Sequence, residues 1–538
     1  MREMFGYSMI LFLSMVLGQA IAAAEKPCES LAVLDLPNTK ITSAATVPAG
    51  GFTPPPSPAP AMGPPTSYKD VPAFCRVQAE LTPTADSDIR IEVWMPAAGW
   101  NGKYRGLGNG GFAGSIDYPG LGGAVKRGYA AAATDTGHSG SPVDASWALG
   151  HPEKVVDFGY RAIHEMTVKA KLMADTFYGH DAQRSYFASC SDGGREALME
   201  AQRFPEDYDG ILAGAPANYW THLLTGAMWN VDATTHDLAS YIPAGKIPAL
   251  GTAVLAACDA QDGLADGILN DPRQCHFDPA TLVCQGADSA KCLTAPQVAA
   301  LKKIYAGPHD SAGRAVFPGY LPGGEEGLGG WGLWITGPAP KLSLMWFFGV
   351  GYCSRMVYEK SDWDPKSFNV DAALELAEKK TAGALNAIDP NLKPFETRGG
   401  KLILYHGWDD AAIPATNTIA YYRSVVNKLG ERDTDSFVRL FLVPGMQHCI
   451  GGPGPSFFGQ FGEALSDDPQ HNVNVALENW VEKGMAPSQV IAVKYADDNP
   501  THAVKMTRPL CPYPQIAKYK GAGDVNDASS FVCVPGSN

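Results

Sequence analysis

Basic residues are sparse in this chain and never gather. Its 42 lysines and arginines are outnumbered by 56 aspartates and glutamates, and the formal net charge is −14 with a pI near 5.3. No cationic surface is available to a polyanion, which argues against nucleic acid as a partner. Long apolar runs are missing as well: beyond the first two dozen residues, no segment reads as apolar enough to cross a membrane. No internal repeat occurs, so a repeat architecture is set aside.

What is present begins with a targeting pattern. Arg2 supplies a modest positive region, Met9 to Leu17 an apolar one, and Ala22-Ala23-Ala24 a small-residue cleavage site. Residues 1–24 therefore read as a signal peptide, with an uncleaved anchor as the alternative on the same residues. Export, to the periplasm or the medium, permits disulfides, and the eleven cysteines then form a framework whose connectivity spacing alone does not assign. The proline-rich stretch Pro54–Pro60 and Gly63-Pro64-Pro65 cannot pair inside a sheet and should run extended over the surface between Cys28 and Cys75.

Chemistry concentrates in two distant residue pairs, Cys190-Ser191 and His448-Cys449. A bond between the cysteines would bring the serine and histidine together. Arg184 to Ser189 reads as a buried strand, Cys190 to Gly194 as a tight turn, and Arg195 to Phe204 as a helix. Strand, sharp turn and helix with serine at the apex is the nucleophile elbow of α/β-hydrolases; the usual leading glycine of G-x-S-x-G is Ser189 here, still a small residue. A serine hydroxyl needs an imidazole to take its proton and a carboxylate to orient that imidazole. Lys401 to Tyr405 reads as a strand followed by Asp409 and Asp410, and Val438 to Val443 as a strand followed by a loop carrying His448. Each residue alone has a plain reading as a helix cap or loop side chain, but the order serine, acid, histidine is that of the fold.

At 538 residues with 45% apolar content, the chain is too long for one simple core. Strand candidates Ile89–Val93, Lys103–Leu107, Tyr129–Thr134, Ser185–Ala188 and Gly210–Leu212 alternate with helical stretches, the longest Lys154–Tyr178. This predicts an α/β fold around a mostly parallel sheet covered on both faces. The pattern turns irregular near Asn218 and resumes at Lys401, so the expected organisation is a catalytic domain in two parts, 25–217 and 400–538, interrupted by an inserted region at 218–399. With nucleophile and base on either side of it, the insertion should project over the active site as a lid, and Gly323–Gly332 should make a flexible lid loop.

These residues resemble the tannase and feruloyl esterase family, which includes the mono(hydroxyethyl) terephthalate hydrolases. Its hallmark is a Cys-Ser, Asp, His-Cys arrangement, matched by Cys190-Ser191, Asp410 and His448-Cys449. The resemblance extends through Gly108–Gly114, Asp135–His138, Pro152–Val155, Asp157–Tyr160, Glu200–Pro205 and Ala213–Pro216. It implies the fourth residue after His406, Asp410, as the acid. It implies the disulfides Cys28–Cys75, Cys190–Cys449, Cys258–Cys275, Cys284–Cys292 and Cys511–Cys533, leaving Cys353 as a buried small hydrophobe. The segment from Cys258 to Ile268 puts three carboxylates and two glycines into a short loop; by itself it reads equally as a solvated acidic turn, and it departs from an EF-hand in spacing and in the missing final glutamate. The resemblance implies a structural Ca²⁺ there, held by Asp259, Asp262, Asp266 and the carbonyls of Leu264 and Ile268.

An acyl-transfer site also needs donors for the oxyanion. The amide of Asp192 is one, and the loop Gly108–Gly111 after an early strand offers the other, at Gly110 with Gly111 next. Trp331, Trp334, Trp346, Phe347, Phe348 and Tyr352 supply planar surface for an aromatic acyl group or for the lid's own core, and Arg355 is a candidate carboxylate or phenol contact. The expected activity is that of an exported serine carboxylic-ester hydrolase acting on small aromatic esters of the feruloyl esterase or tannase type, with terephthalate monoesters as the alternative. An exported serine peptidase, marked by casein hydrolysis, and a silent Ca²⁺-braced binding protein, marked by inertness toward p-nitrophenyl esters, are the readings from other classes.

Overall fold

The computed structural model describes residues 26–56, 66–462 and 466–536. The expected signal peptide, and the proline-rich stretch from residue 57 to 65, lie outside the described residues. One nine-stranded sheet organises the chain: β1 (Thr39–Val47), β2 (Phe74–Leu81), β3 (Ile89–Pro96), β4 (Lys103–Leu107), β5 (Ala130–Thr134), β6 (Arg184–Cys190), β7 (Gly210–Gly214), β8 (Lys401–Gly407) and β9 (Val438–Val443), in the order β1-β2-β3-β5-β4-β6-β7-β8-β9. The six strands from β5 to β9 in that order pair in parallel, and β1, β2 and β3 extend the sheet antiparallel. The central strands are buried along nearly their whole length, β5 (Ala-Ala-Ala-Ala-Thr) and β7 (Gly-Ile-Leu-Ala-Gly) entirely so, which is why they read as continuous apolar runs.

All seven strands expected from the sequence are present. Of the three antiparallel strands, β1 and β2 lie outside that expectation; β1 is an edge strand with no buried residue, so its sequence carries no apolar alternation. Two hairpin pairs follow at the C-terminus, β10 (Val490–Tyr495) with β11 (Val504–Leu510) and β12 (Gln515–Tyr519) with β13 (Phe531–Pro535). The long helix runs from Pro152 to Tyr178 with a π turn at Asp157–Arg161.

Between β7 and β8 lies the inserted region. It is more helical than its composition suggested, with helices Trp220–Thr235, Ile247–Cys258, Ala295–Ala306, Leu344–Tyr352 and Val370–Leu385 around a core that includes Met228, Leu250, Leu301, Trp331 and Tyr352. One segment here corrects an expectation: 238–262 is apolar and long enough, by composition, to cross a membrane. Pro243 separates the short turn Leu238–Ser240 from the helical stretch that follows, in which Ile247, Leu250 and Val254 bury into the insertion's core. Gly323–Gly332 is also not the flexible loop expected. Gly323 donates to the Glu325 carboxylate, Trp331 to the Glu325 carbonyl, and Gly329 to the side chain of Gln447. A Cβ on Gly324 would come 2.4 Å from the Asp409 carbonyl, so these glycines serve close packing rather than motion. The five disulfides are the implied pairs, and Cys353 is free and buried.

Candidate active site

Ser191 sits where β6 meets the helix Asp192–Arg203, with φ 68° and ψ −124°. A non-glycine residue holds that left-handed backbone only when its surroundings insist. They do: the Ser191 amide donates to Gly214 at 3.0 Å, and its carbonyl accepts from Gly194, Arg195 and Ala217. Glycine is required on the far side of the turn, because a Cβ on Gly194 would lie 2.3 Å from the Gly214 carbonyl. A Cβ on Gly193 would lie 1.9 Å from Ser189 Oγ, so Gly193 makes the room that lets a serine stand where G-x-S-x-G has its first glycine.

From the end of β9, the loop carrying His448 brings its Nε2 to 2.9 Å from Ser191 Oγ and its Nδ1 to 2.8 Å from Asp410 Oδ2. The Cys190–Cys449 bond joins the residues on the outer side of both partners. Asp410 Oδ1 accepts the amides of Ala412 at 2.7 Å and Ile413 at 2.9 Å. Burial alone would raise the Asp410 carboxyl, but His448 and His406 beside it hold it well below the usual carboxylate range. Adjacent Asp409 points elsewhere; burial, with the Glu325 carboxylate nearby, pushes it up to about 8.

His406 was read from the sequence only as a marker for the acid. It is fully buried, with Nε2 3.1 Å from Asp410 Oδ2 and 2.9 Å from the Ile413 carbonyl, and Nδ1 2.8 Å from Thr418 Oγ1. Gln447 gave no signal at all. Beside the histidine, its amide side chain grips the Glu326 carbonyl and the Gly329 amide, tying the His448 loop to the insertion.

Among the described residues, the amides of Asp192, Gly110 and Gly111 have no hydrogen-bond partner. Asp192 and Gly111 line the cavity at Ser191, whereas Gly110 is exposed and does not. The cavity walls are otherwise apolar, with Leu223, Leu224, Trp334, Met345, Phe348 and Ile413 prominent. Trp334 meets the His448 ring edge-on at 5.0 Å and stacks with Phe348 at 6.1 Å. The aromatic cluster thus divides: Trp334 and Phe348 face the site, Trp331 and Tyr352 belong to the insertion's core, Phe347 is exposed, and Trp346 lies under the Lys341 ammonium. Arg355 does not line the cavity; it sits on the π turn Cys353–Val357, beyond the helix whose first turns supply Met345 and Phe348.

With this geometry in hand, the comparisons with known proteins agree. The family model described as tannase and feruloyl esterase matches residues 75–534. The chain belongs to the tannase and feruloyl esterase family. An uncharacterized esterase from Xanthomonas campestris pv. campestris is 42% identical over 95% of this chain and 92% of its own length. A probable feruloyl esterase B from Aspergillus clavatus is 33% identical over 93% of each chain. The crystal structure of feruloyl esterase B from Aspergillus oryzae superposes with a TM-score of 0.84 at 30% identity, covering 94% of this chain and 99% of that one. As a tannase and feruloyl esterase family member, the protein is a carboxylic ester hydrolase.

The acidic loop of this family member folds its carboxylates inward. Asp259 accepts the Gly267 amide at 3.1 Å, Asp262 the amides of Leu264 and Asn270, and Asp266 that of Ile268. Gly263 and Gly267, both at positive φ, turn the backbone around them. Burial, then the charges of Asp266 and Asp259, raise the Asp262 carboxyl. Arg508 on β11 offsets part of the crowding by pairing with Asp266 at 2.5 Å. Oxygen ligands on a turning loop are the donor set a Ca²⁺ ion takes, although among the described residues these three carboxylates do not converge as a preformed cluster and Arg508 occupies Asp266.

Proposed function

We propose that the chain is an exported feruloyl esterase that works through an acyl-enzyme on Ser191. The observation that carries this reading is the Ser191–His448–Asp410 relay of 2.9 and 2.8 Å, opening into an apolar slot. Ser191 Oγ attacks the ester carbonyl as His448 Nε2 takes its proton, and Asp410 stabilises the imidazolium. The amide of Asp192, with that of Gly110 or Gly111, receives the oxyanion. The alcohol leaves with the proton from His448, and water repeats the sequence on the acyl-enzyme.

Among the candidate acyl groups, the lining of the slot favours the feruloyl one. A terephthalate monoester carries a free carboxylate, and among the described residues no cation lines the cavity to pair with it. A galloyl ring would bury three hydroxyls against walls that are mostly apolar, where a feruloyl ring buries one. A feruloyl group has one phenol and one methyl ether on a planar apolar body, and it matches Leu223, Leu224, Trp334 and Phe348 best. The inserted region acts as the lid that presents these side chains.

Export is supported by the five disulfides, which persist in oxidising compartments. Asp259, Asp262 and Asp266, with the carbonyls of Leu264 and Ile268, would hold Ca²⁺, whose charge would brace the loop without entering the reaction. The deciding experiment compares turnover of methyl ferulate, methyl gallate and mono(hydroxyethyl) terephthalate, with Ser191→Ala as control. Methyl ferulate should lead in kcat/KM and Ser191→Ala should be inert. Preference for the terephthalate monoester would reject the acyl assignment, and an active Ser191→Ala would reject the mechanism.

A further inference from the structure

One buried acid lies directly beneath the proposed oxyanion donors and takes no part in the relay. Glu196, one turn into the helix that starts at Asp192, is fully buried. Its Oε2 accepts the backbone amide of Asn109 at 2.8 Å, and its Oε1 has no partner among the described residues. A buried carboxyl with an idle oxygen is costly, so what the other oxygen holds is informative.

Asn109 is held through its backbone amide, its carbonyl and its side-chain nitrogen. Its amide goes to Glu196, its carbonyl accepts the Gly193 amide at 2.8 Å, and its side chain donates to the carbonyls of Ser115 at 3.1 Å and Thr134 at 2.9 Å. The preceding residue leaves no slack: a Cβ on Gly108 would come 2.6 Å from Glu196 Oε2. The following residues are Gly110 and Gly111. The two oxyanion amides therefore come from separate elements, one opening the helix Asp192–Arg203 and one on the loop after β4. Glu196 and Gly193, both on that helix, clamp the loop at Asn109.

We propose that Glu196 is the positioning residue that holds the Gly110–Gly111 amides in register with the Asp192 amide around the oxyanion. The proposal rests on the acyl-transfer reading above. Charge enters as well. The charged groups near Glu196 are Asp192, Arg195 and Glu200, all on its own helix, while the loop presents an amide and β6 the Ser189 hydroxyl. Burial and then Asp192 push the Glu196 carboxyl up to about 8 against the pull of Arg195 and the Asn109 amide. At neutral pH it is a neutral acceptor; ionised, it places a negative charge under a site built to receive an oxyanion.

The test is steady-state kinetics on methyl ferulate from pH 6 to 10, with kcat normalised to titrated active sites. Glu196→Ala should lower kcat by about 10- to 100-fold with KM within about twofold, the size expected for misaligning an oxyanion donor. Glu196→Gln keeps an acceptor oxygen for Asn109 but cannot ionise. It should restore kcat at pH 7 to within a few-fold and hold it above pH 8, where the wild-type enzyme declines. Wild-type kcat in Glu196→Ala, or a Gln variant as impaired as the Ala variant, would overturn the proposal. If Glu196→Ala does not fold, the Gln profile decides alone, and an alkaline limb unchanged from wild type overturns it. Inert Ser191→Ala beside unaffected Glu196 variants removes this inference only, whereas active Ser191→Ala removes the acyl-transfer reading with it.

Discussion

Replacing both Cys190 and Cys449 with alanine separates what the bridge does for stability from what it does for geometry. The bond spans 259 residues, and loop-closure entropy over that length amounts to about 5.6 kcal/mol of unfolded-state restriction, with about 2–4 kcal/mol the usual measured return. The geometric effect follows from Cys449, which sits at φ 64° directly after the proton acceptor. An L-residue in that left-handed region costs roughly 1–2 kcal/mol, and the sulfur bond, with the Gln460 side chain donating to the Cys449 carbonyl, restrains it there. Freed, residue 449 should relax toward ordinary backbone and carry the His448 ring with it. A shift of about 1 Å costs on the order of a hundredfold in rate, equivalent to about 2.7 kcal/mol of barrier. The assay is kcat on methyl ferulate well below the melting temperature, beside calorimetry of the unreduced proteins. Expected are a lower Tm and a kcat reduced by about two orders of magnitude at nearly constant KM. A kcat within twofold of wild type would refute the reasoning. It would mean that the grip of Gln447 on Glu326 and Gly329 suffices to place the histidine.

Two further outcomes are expected. Asp409 is buried with Oδ1 unpartnered, and its carboxyl rises from 3.8 to about 8, so the stability it lends is complete below about pH 3.8 and is lost as pH climbs through about 8. Asp409→Asn should therefore gain Tm over wild type progressively between pH 5 and 9, on the order of a few kcal/mol at the alkaline end, and parallel melting curves would contradict this. Chelation should lower the Tm through the Asp259–Asp266 loop, with Ca²⁺ restoring it and Asp262→Ala responding to neither. Binding at a hundred times Kd corresponds to about 2.7 kcal/mol, so an unmoved Tm would dismiss the ion.

The legible parts of this protein are those whose chemistry is local. Ser-Cys-Ser-Asp-Gly-Gly reads as a tight turn with serine at its apex because small residues and paired glycines sit between an apolar strand and a helix, and the structure shows those glycines standing where a Cβ would strike Ser189 or Gly214. Strands β5, β7 and β8 announce themselves because burial on both faces demands nearly unbroken apolar runs, and β3, β4, β6 and β9 carry enough apolar residues to be read beside them. Edge strand β1 escapes notice because nothing buries it. The aromatic cluster of the insertion was visible as composition, yet which rings face the serine was not. Trp331 and Trp334 are three residues apart, and one fills the core while the other meets His448.

Sequence alone determined the nucleophile turn, the order of serine, acid and histidine, and the run of buried strands, since each rests on neighbours within a few residues. Tertiary structure decided the rest. It turned Asp410 toward the histidine and Asp409 toward Glu325, pinned Gly323–Gly332 against the acid loop, and set Glu196 under Asn109. Each of those outcomes depends on which distant backbone donor or carboxylate a buried oxygen meets, and only the packing of the sheet, the loops and the insertion brings such partners within hydrogen-bond reach.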